Sequence, residues 1–176
     1  MKLTPVMEKF VLHWGEMGTR WGVNRTVAQI HALLYLSTDP LNAEDITETL
    51  GVARSNVSTS LKELQSWGLV KVVHVFGDRR DHFESLKDVW DIFMVIFDER
   101  KKRELDPTLT MLRECEIDAG NDSKTPKEIK TRISDTLAFI ELTTGWYDQM
   151  KGLPRPTLIK IMKFGAKIQN LLTKKH

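Results

Sequence analysis

The sequence predicts a mainly α-helical fold that carries one small antiparallel β-hairpin. Three observations predict it. Apolar residues recur at three- and four-residue spacing along most of the chain, as they do in helices with one buried face. Two such patterns, residues 43–50 and 54–67, are separated only by a tight turn at Gly51. The β-branched run 69–75 then breaks the helical period; Gly77 and Asp78 make a turn, and residues 81–84 return as a short strand. Helix, turn, helix and hairpin in that order are the layout of a winged helix-turn-helix, a module that lays its second helix into the DNA major groove.

Taken in order, residues 3–17 place Leu3, Val6, Met7, Phe10, Val11 and Trp14 at helical spacing, and Gly15, Gly18 and Gly22 are expected to break that helix. Residues 25–37 form the next, with Asn24 as N-cap and Val27, Ile30, Leu33 and Leu34 inward. Asp39 and Pro40 end it, because the proline ring disfavours helical geometry in the residue before it. Asn42 caps the helix 43–50. In the helix 54–67, Val57, Leu61 and Leu64 share one face, and Gly68 supplies the left-handed residue at its end.

From Leu86 a helix carries Leu86, Val89, Trp90, Phe93 and Phe97 on one stripe and Ile92, Val95 and Ile96 on another, so it should be sandwiched. Asp106 and Pro107 are expected to restart it as a new helix ending near Gly120. Residues 121–125 read as a loop, 126–150 as a helix, 151–156 as a break, and 157–172 as the last helix. The latter sets Lys160, Lys163, Lys167 and Lys174 opposite Leu158, Ile161, Ile168 and Leu172. We read it as an amphipathic terminal helix packed in a dimer rather than one lying on a membrane. The expected division is residues 1–85 as the DNA-binding part and 86–176 as a linking helix with a helical dimerisation and effector region.

Composition bounds the function. In 176 residues, 41% hydrophobic and 28% charged describe a globular chain. One cysteine, Cys115, forms no internal disulfide, which points to a reducing cytoplasm. The N-terminal segment has no signal-peptide pattern and no apolar run approaches a membrane span. A net charge of +2 argues for nothing by itself, but residues 54–80 hold five Lys or Arg against Glu63 and Asp78. The histidines His13, His31, His74, His82 and His176 lack metal-ligand spacing, although His74 and His82 could face each other across the hairpin. No phosphate loop, nucleophile elbow or catalytic carboxylate pair is visible, so neither an enzyme nor a cofactor is expected.

Set by its buried stripe, the helix 54–67 points Ser55, Thr59, Lys62 and Ser66 outward, flanked by Asn56 and Ser58. This face is small, polar and nearly uncharged, and it allows close approach to another surface. Phosphate contacts are expected from Arg54, Lys62 and the wing residues Arg79 and Arg80, and base reading from Ser55, Asn56, Ser58 and Thr59. The plainer reading of the wing is a solvated turn with arginine paired to Asp78 or Asp81.

Residues 23–105 resemble the GbsR branch of the MarR-like winged-helix transcriptional regulators. The resemblance is carried by RTVAQIHALLYLSTDPLNAEDITETLGVARSNVSTSLKELQSWGLVKVVHVFGDRRDHFES, by the helix containing Trp90, and by the charged run from Arg100 to Leu105. It implies a homodimeric DNA-binding repressor or activator, and founding members of the branch regulate osmoprotectant genes and respond to choline. One departure is Ala53, where such helices often begin with a capping serine; about 1 kcal/mol of local stability is forgone. A quaternary ammonium is held by aromatic faces through cation–π attraction, and the candidates here are Trp21, Tyr35, Trp90, Phe93 and Trp146, although most of the chain's aromatics fall on helical apolar stripes and read more simply as core. A winged helix that serves only as a protein-interaction module, with no role on DNA, is the alternative that the nearly uncharged face keeps open.

Overall fold

The computed structural model describes residues 2–173, with side chains described as far as Phe164. The chain divides into two compact units, Met1–Glu99 and Arg100–His176.

In the first unit, α1 (Pro5–Arg20) and α2 (Arg25–Leu36) pack against each other, followed by β1 (Leu41–Asn42), α3 (Ala43–Leu50), α4 (Arg54–Ser66), β2 (Val70–Val73), β3 (His82–Ser85) and α5 (Val89–Arg100). The central element is α2, which buries every residue but one from Val27 to Leu34. Around it lie Val11 of α1, Ile46 of α3, Val57, Leu61 and Leu64 of α4, Leu69 and Val70, Phe83 of β3 and Ile92 of α5. Each buried aliphatic side chain of this kind contributes roughly 1.5–3 kcal/mol, so α3 and α4 are held mainly by their stripes. Caps assist: the Asn24 side chain accepts from Thr26 N–H, and that of Asn42 from Glu44 and Asp45 N–H. Ala53 makes no side-chain cap, as its methyl requires.

Two expectations about α1 and the sheet need correction. Gly15 and Gly18 do not break α1; both lie within it and are buried. They are the places where α2 comes closest. A Cβ built on Gly18 would stand 2.5 Å from the Cβ of Ala28, so only glycine lets the helices meet there. The wing is also larger than a hairpin. Strand order is β1-β3-β2, all antiparallel, with Leu41 opposite Phe83 and Val72 opposite Phe83 on the other side. Two residues of β1 are too few to display an alternating pattern, so this strand exists only through its partner. The register sets His82 opposite Val73, not opposite His74.

Where the sequence predicts a helix from Leu86, α5 instead starts at Val89, because the Asp88 carboxylate accepts from Trp90 and Asp91 N–H. Its stripe of Ile92, Val95 and Ile96 packs on the first core, while Val89 and Phe93 are exposed. The Lys87 ammonium donates to the carbonyls of Leu34 (2.6 Å), Tyr35 (3.1 Å) and Ser37 (2.6 Å), closing the end of α2 where unpaired carbonyls carry the negative end of the helix dipole.

The second unit begins with a π-helical turn, Lys101–Leu105, then α6 (Asp106–Asn121), α7 (Lys127–Lys151) and α8 (Arg155–Thr173). Pro107 does not open a freshly capped helix. The backbone stays helical at Arg100, Leu105 and Asp106. A wider π turn fits a proline, which has no N–H to give and whose ring crowds the carbonyl one turn back. Asp106 binds the Lys101 ammonium at 3.0 Å instead of capping. Leu109, Leu112 and Leu137, with Ile133 and Ile140, join α6 to α7, and Arg113 bridges to Glu141 at 2.8 Å. On α7, Tyr147 is buried and Ile129 is exposed. Lys160, Ile161 and Lys163 of α8 are all exposed; the side chains of Lys167, Ile168 and Leu172, and residues Lys174 and His176, lie outside the described residues.

Candidate nucleic-acid interface

Burial of Val57, Ser60, Leu61 and Leu64 fixes the rotation of α4. Arg54, Ser55, Asn56, Ser58, Thr59, Lys62 and Ser66 are thereby left exposed along its outer face. Beside this face runs an open groove of about 410 Å³ lined by Arg54, Ser58 and Lys62 of α4, Glu44 of α3, and Arg80 and Val72 of the wing. The fold thus gathers three cations, of which Lys62 on α4 and Arg80 on the wing are 18 residues apart in sequence.

The cations are not equivalent. Arg80 is tied down on both sides: Nη2 meets Asp78 Oδ2 at 2.5 Å and Nη1 meets Glu44 Oε2 at 3.0 Å. Asp78 also accepts from Arg80 N–H at 3.0 Å. These bonds hold the Asp78 carboxyl well below the usual carboxylate range and raise the guanidinium further above its ordinary value. Behind them His82 is buried, with Nδ1 3.0 Å from the Arg80 carbonyl oxygen. The plainer reading of the wing therefore describes Arg80, paired with Asp78. Arg79 is exposed and makes no ion pair among the described residues. Arg54 reaches back to Glu44 at 3.3 Å, and Lys62 faces the groove.

Glu44 is the residue that sequence reading passes over. An acid in the first turn of a helix normally reads as a partner for the helix dipole; that it sits between two arginines follows only from the tertiary fold. Phe76 is the second omission. An apolar side chain just ahead of the Gly77 and Asp78 turn has no core to enter, and that signal is present in the sequence.

The aromatic candidates fall in both units. Trp21 lies half-exposed at the end of α1, and Tyr35 stacks on Phe10 at 6.3 Å, inside the first core. Trp90 is partly buried on α5, and Phe93 is exposed beside Phe97 at 6.1 Å. Trp146 belongs to the second unit, exposed on α7. Among the described residues no group of three or more His, Cys, Asp or Glu is placed to hold a metal, and no helix is long and apolar enough to cross a membrane.

Helix-turn-helix, three-stranded wing and exposed polar second helix define a winged-helix domain of the MarR kind. Residues 21–81 match the MarR family, and this part of the chain is a MarR-family helix-turn-helix domain. The chain is similar to the HTH-type transcriptional repressor GbsR of Bacillus subtilis (strain 168), 24% identical over 76% of this chain and 75% of that one. It is also similar to the putative HTH-type transcriptional regulator YvaV of the same organism, 18% identical over 83% and 84% of the two chains. A crystal structure of a transcriptional regulator shares the fold, with a TM-score of 0.57 at 20% identity, covering 82% of this chain and 99% of that one.

Proposed function

We propose that the protein is a transcriptional regulator that binds double-stranded DNA sequence-specifically as a homodimer. The observation that carries this is the groove beside α4, where an exposed face of small polar residues is edged by Arg54, Lys62 and Arg80. In this reading α4 enters the major groove. Ser55, Asn56, Ser58 and Thr59 meet base edges, while Arg54, Lys62, Arg79 and Arg80 meet phosphates or the neighbouring minor groove. The similarity to two Bacillus transcriptional regulators supports the same reading.

The homodimer rests on α7. Phe139, Leu142 and Trp146, spaced by three and four residues, stand 68%, 73% and 59% exposed on its surface. An apolar stripe of this kind on a helix calls for a cover, and a second copy of the chain supplies it. A small quaternary-ammonium effector is carried by the family resemblance; calorimetry with choline, then with Trp90→Ala, tests it, and no heat at millimolar ligand removes it.

The primary test is fluorescence anisotropy with duplexes tiled across the DNA upstream of the protein's own gene. Salt-sensitive binding that resists competitor DNA, with two chains per site, is the expected outcome. No binding to any duplex at low salt would favour the protein-interaction reading instead.

A further inference from the structure

Phe76 is at 106% relative exposure, fully clear of the protein, and it stacks on no other ring among the described residues. It owes this to a β-turn. Asp78 N–H donates to the Val75 carbonyl at 3.1 Å, and Gly77 stands at φ +85°, the left-handed geometry that the third residue of a type II turn requires. Phe76 is therefore the second residue of the turn, and it is fully exposed there. Asp78, the last residue of the turn, pairs with Arg80, which pairs in turn with Glu44 on α3. Val75 is exposed on one side and the unpaired Arg79 on the other. A large apolar side chain on the turn, with the exposed Arg79 three residues on, stands clear of its own core.

We propose that Phe76 is an apolar wedge which the wing presses into the DNA minor groove, unstacking a base step beside the half-site read by α4. The inference rests on the DNA-binding reading above and adds to it a residue and a mode of recognition. Apolar wedges, phenylalanine among them, enter base steps from the minor groove and bend the duplex. Pyrimidine–purine steps open most readily, so the wedge gives preference at positions that α4 does not touch. The exposed Arg79 of the same wing, and Arg54, Lys62 and Arg80 along the α4 groove, fit a polyanion; a purely apolar protein partner would have to bury Arg79. The division of labour is then physical: Arg79 supplies charge at the tip, Arg80 braces the wing, and Phe76 supplies the stacking contact.

The test is anisotropy on the duplex that the wild-type protein binds, over a series of salt concentrations, with Phe76→Ala and Phe76→Leu. Circular dichroism should show both variants folded, since the side chain touches no core. Phe76→Ala should bind roughly tenfold more weakly, the scale of losing one aromatic–base contact. Its salt slope should match the wild type, because a ring releases no counterions. Phe76→Leu should keep part of the affinity. A 2-aminopurine placed at the flanking step should brighten with the wild type and stay quenched with Phe76→Ala. Equal affinity and equal 2-aminopurine signal for wild type and Phe76→Ala would overturn the wedge and leave the DNA reading standing. Failure of the wild type to bind any duplex would overturn both.

Discussion

Glu44 Oε2 lies 3.0 Å from Arg80 Nη1, while Glu44 Oε1 lies 3.3 Å from Arg54 Nη1. One carboxylate on α3 therefore engages the first residue of the α4 face and the brace of the wing together. All three side chains are largely solvated, so the pairs are weak as stabilisers. Their effect falls on the charge that the groove presents.

Removing that charge should strengthen binding to DNA. Glu44→Gln frees the Arg54 guanidinium, leaves Arg80 paired with Asp78 alone, and deletes a negative group from the groove. A gain of roughly three- to tenfold at low salt, with a steeper salt dependence, is expected from the added cationic contacts. Anisotropy on the wild-type duplex measures it; weaker binding by Glu44→Gln would mean that the carboxylate positions the arginines rather than masking them.

The two wing arginines should separate. Arg79→Ala should weaken binding and lower the salt slope by about one per wing, as loss of a phosphate contact does. Arg80→Ala should in addition loosen the turn, seen in the free protein as faster exchange of the backbone amide at position 80, which donates to Asp78 in the wild type. Should Arg79→Ala leave both affinity and salt slope untouched, the wing tip does not touch the nucleic acid through charge.

Gly18→Ala tests the contact between α1 and α2. Alanine gains up to about 1 kcal/mol in helix propensity, but its Cβ meets the Cβ of Ala28 at 2.5 Å. Overpacking of this kind costs roughly 1–3 kcal/mol, so net destabilisation of about 1–2 kcal/mol in urea unfolding is expected. Gly15→Ala should cost less, because its nearest neighbour is the Gln29 side chain, which is only partly buried and can swing aside. Equal effects at the two sites would refute the close-approach argument.

His31 should make the fold acid-sensitive. It is 3% exposed, its Nε2 has no hydrogen-bond partner among the described residues, and burial, then the Lys87 charge, pushes its pKa down to about 4. An unfolded histidine takes up its proton near pH 6.5, whereas the folded one stays neutral until about pH 4. The stability present above pH 6.5 is therefore lost progressively as pH falls through this window, by up to about 3 kcal/mol. Urea unfolding from pH 7 to pH 4 should reveal the slope, and His31→Leu should flatten it. A wild-type curve that is level between pH 6.5 and 4 would show that the ring is protonated in place.

The local devices of this fold were legible in the sequence because each depends on near neighbours. Asn24 and Asn42 cap, Ala53 does not, and Val57, Leu61 and Leu64 rotate α4 so that its polar face is outward. A helical period and a side-chain cap are written within a few residues, and no distant contact is needed to read them. The tertiary structure decided what depends on residues far apart. It turned Gly15 and Gly18 from breakers into packing surfaces and gave β3 a second partner in β1. It also carried helical backbone past Pro107. In the candidate site it placed Glu44 between Arg54 and Arg80, so that of the two wing arginines Arg80 is paired and Arg79 makes no ion pair among the described residues. The physical reason is the same in each case: sequence spacing fixes which face of an element is apolar, but the partner of a charge, a glycine or a strand edge is set by whichever surface the core brings against it.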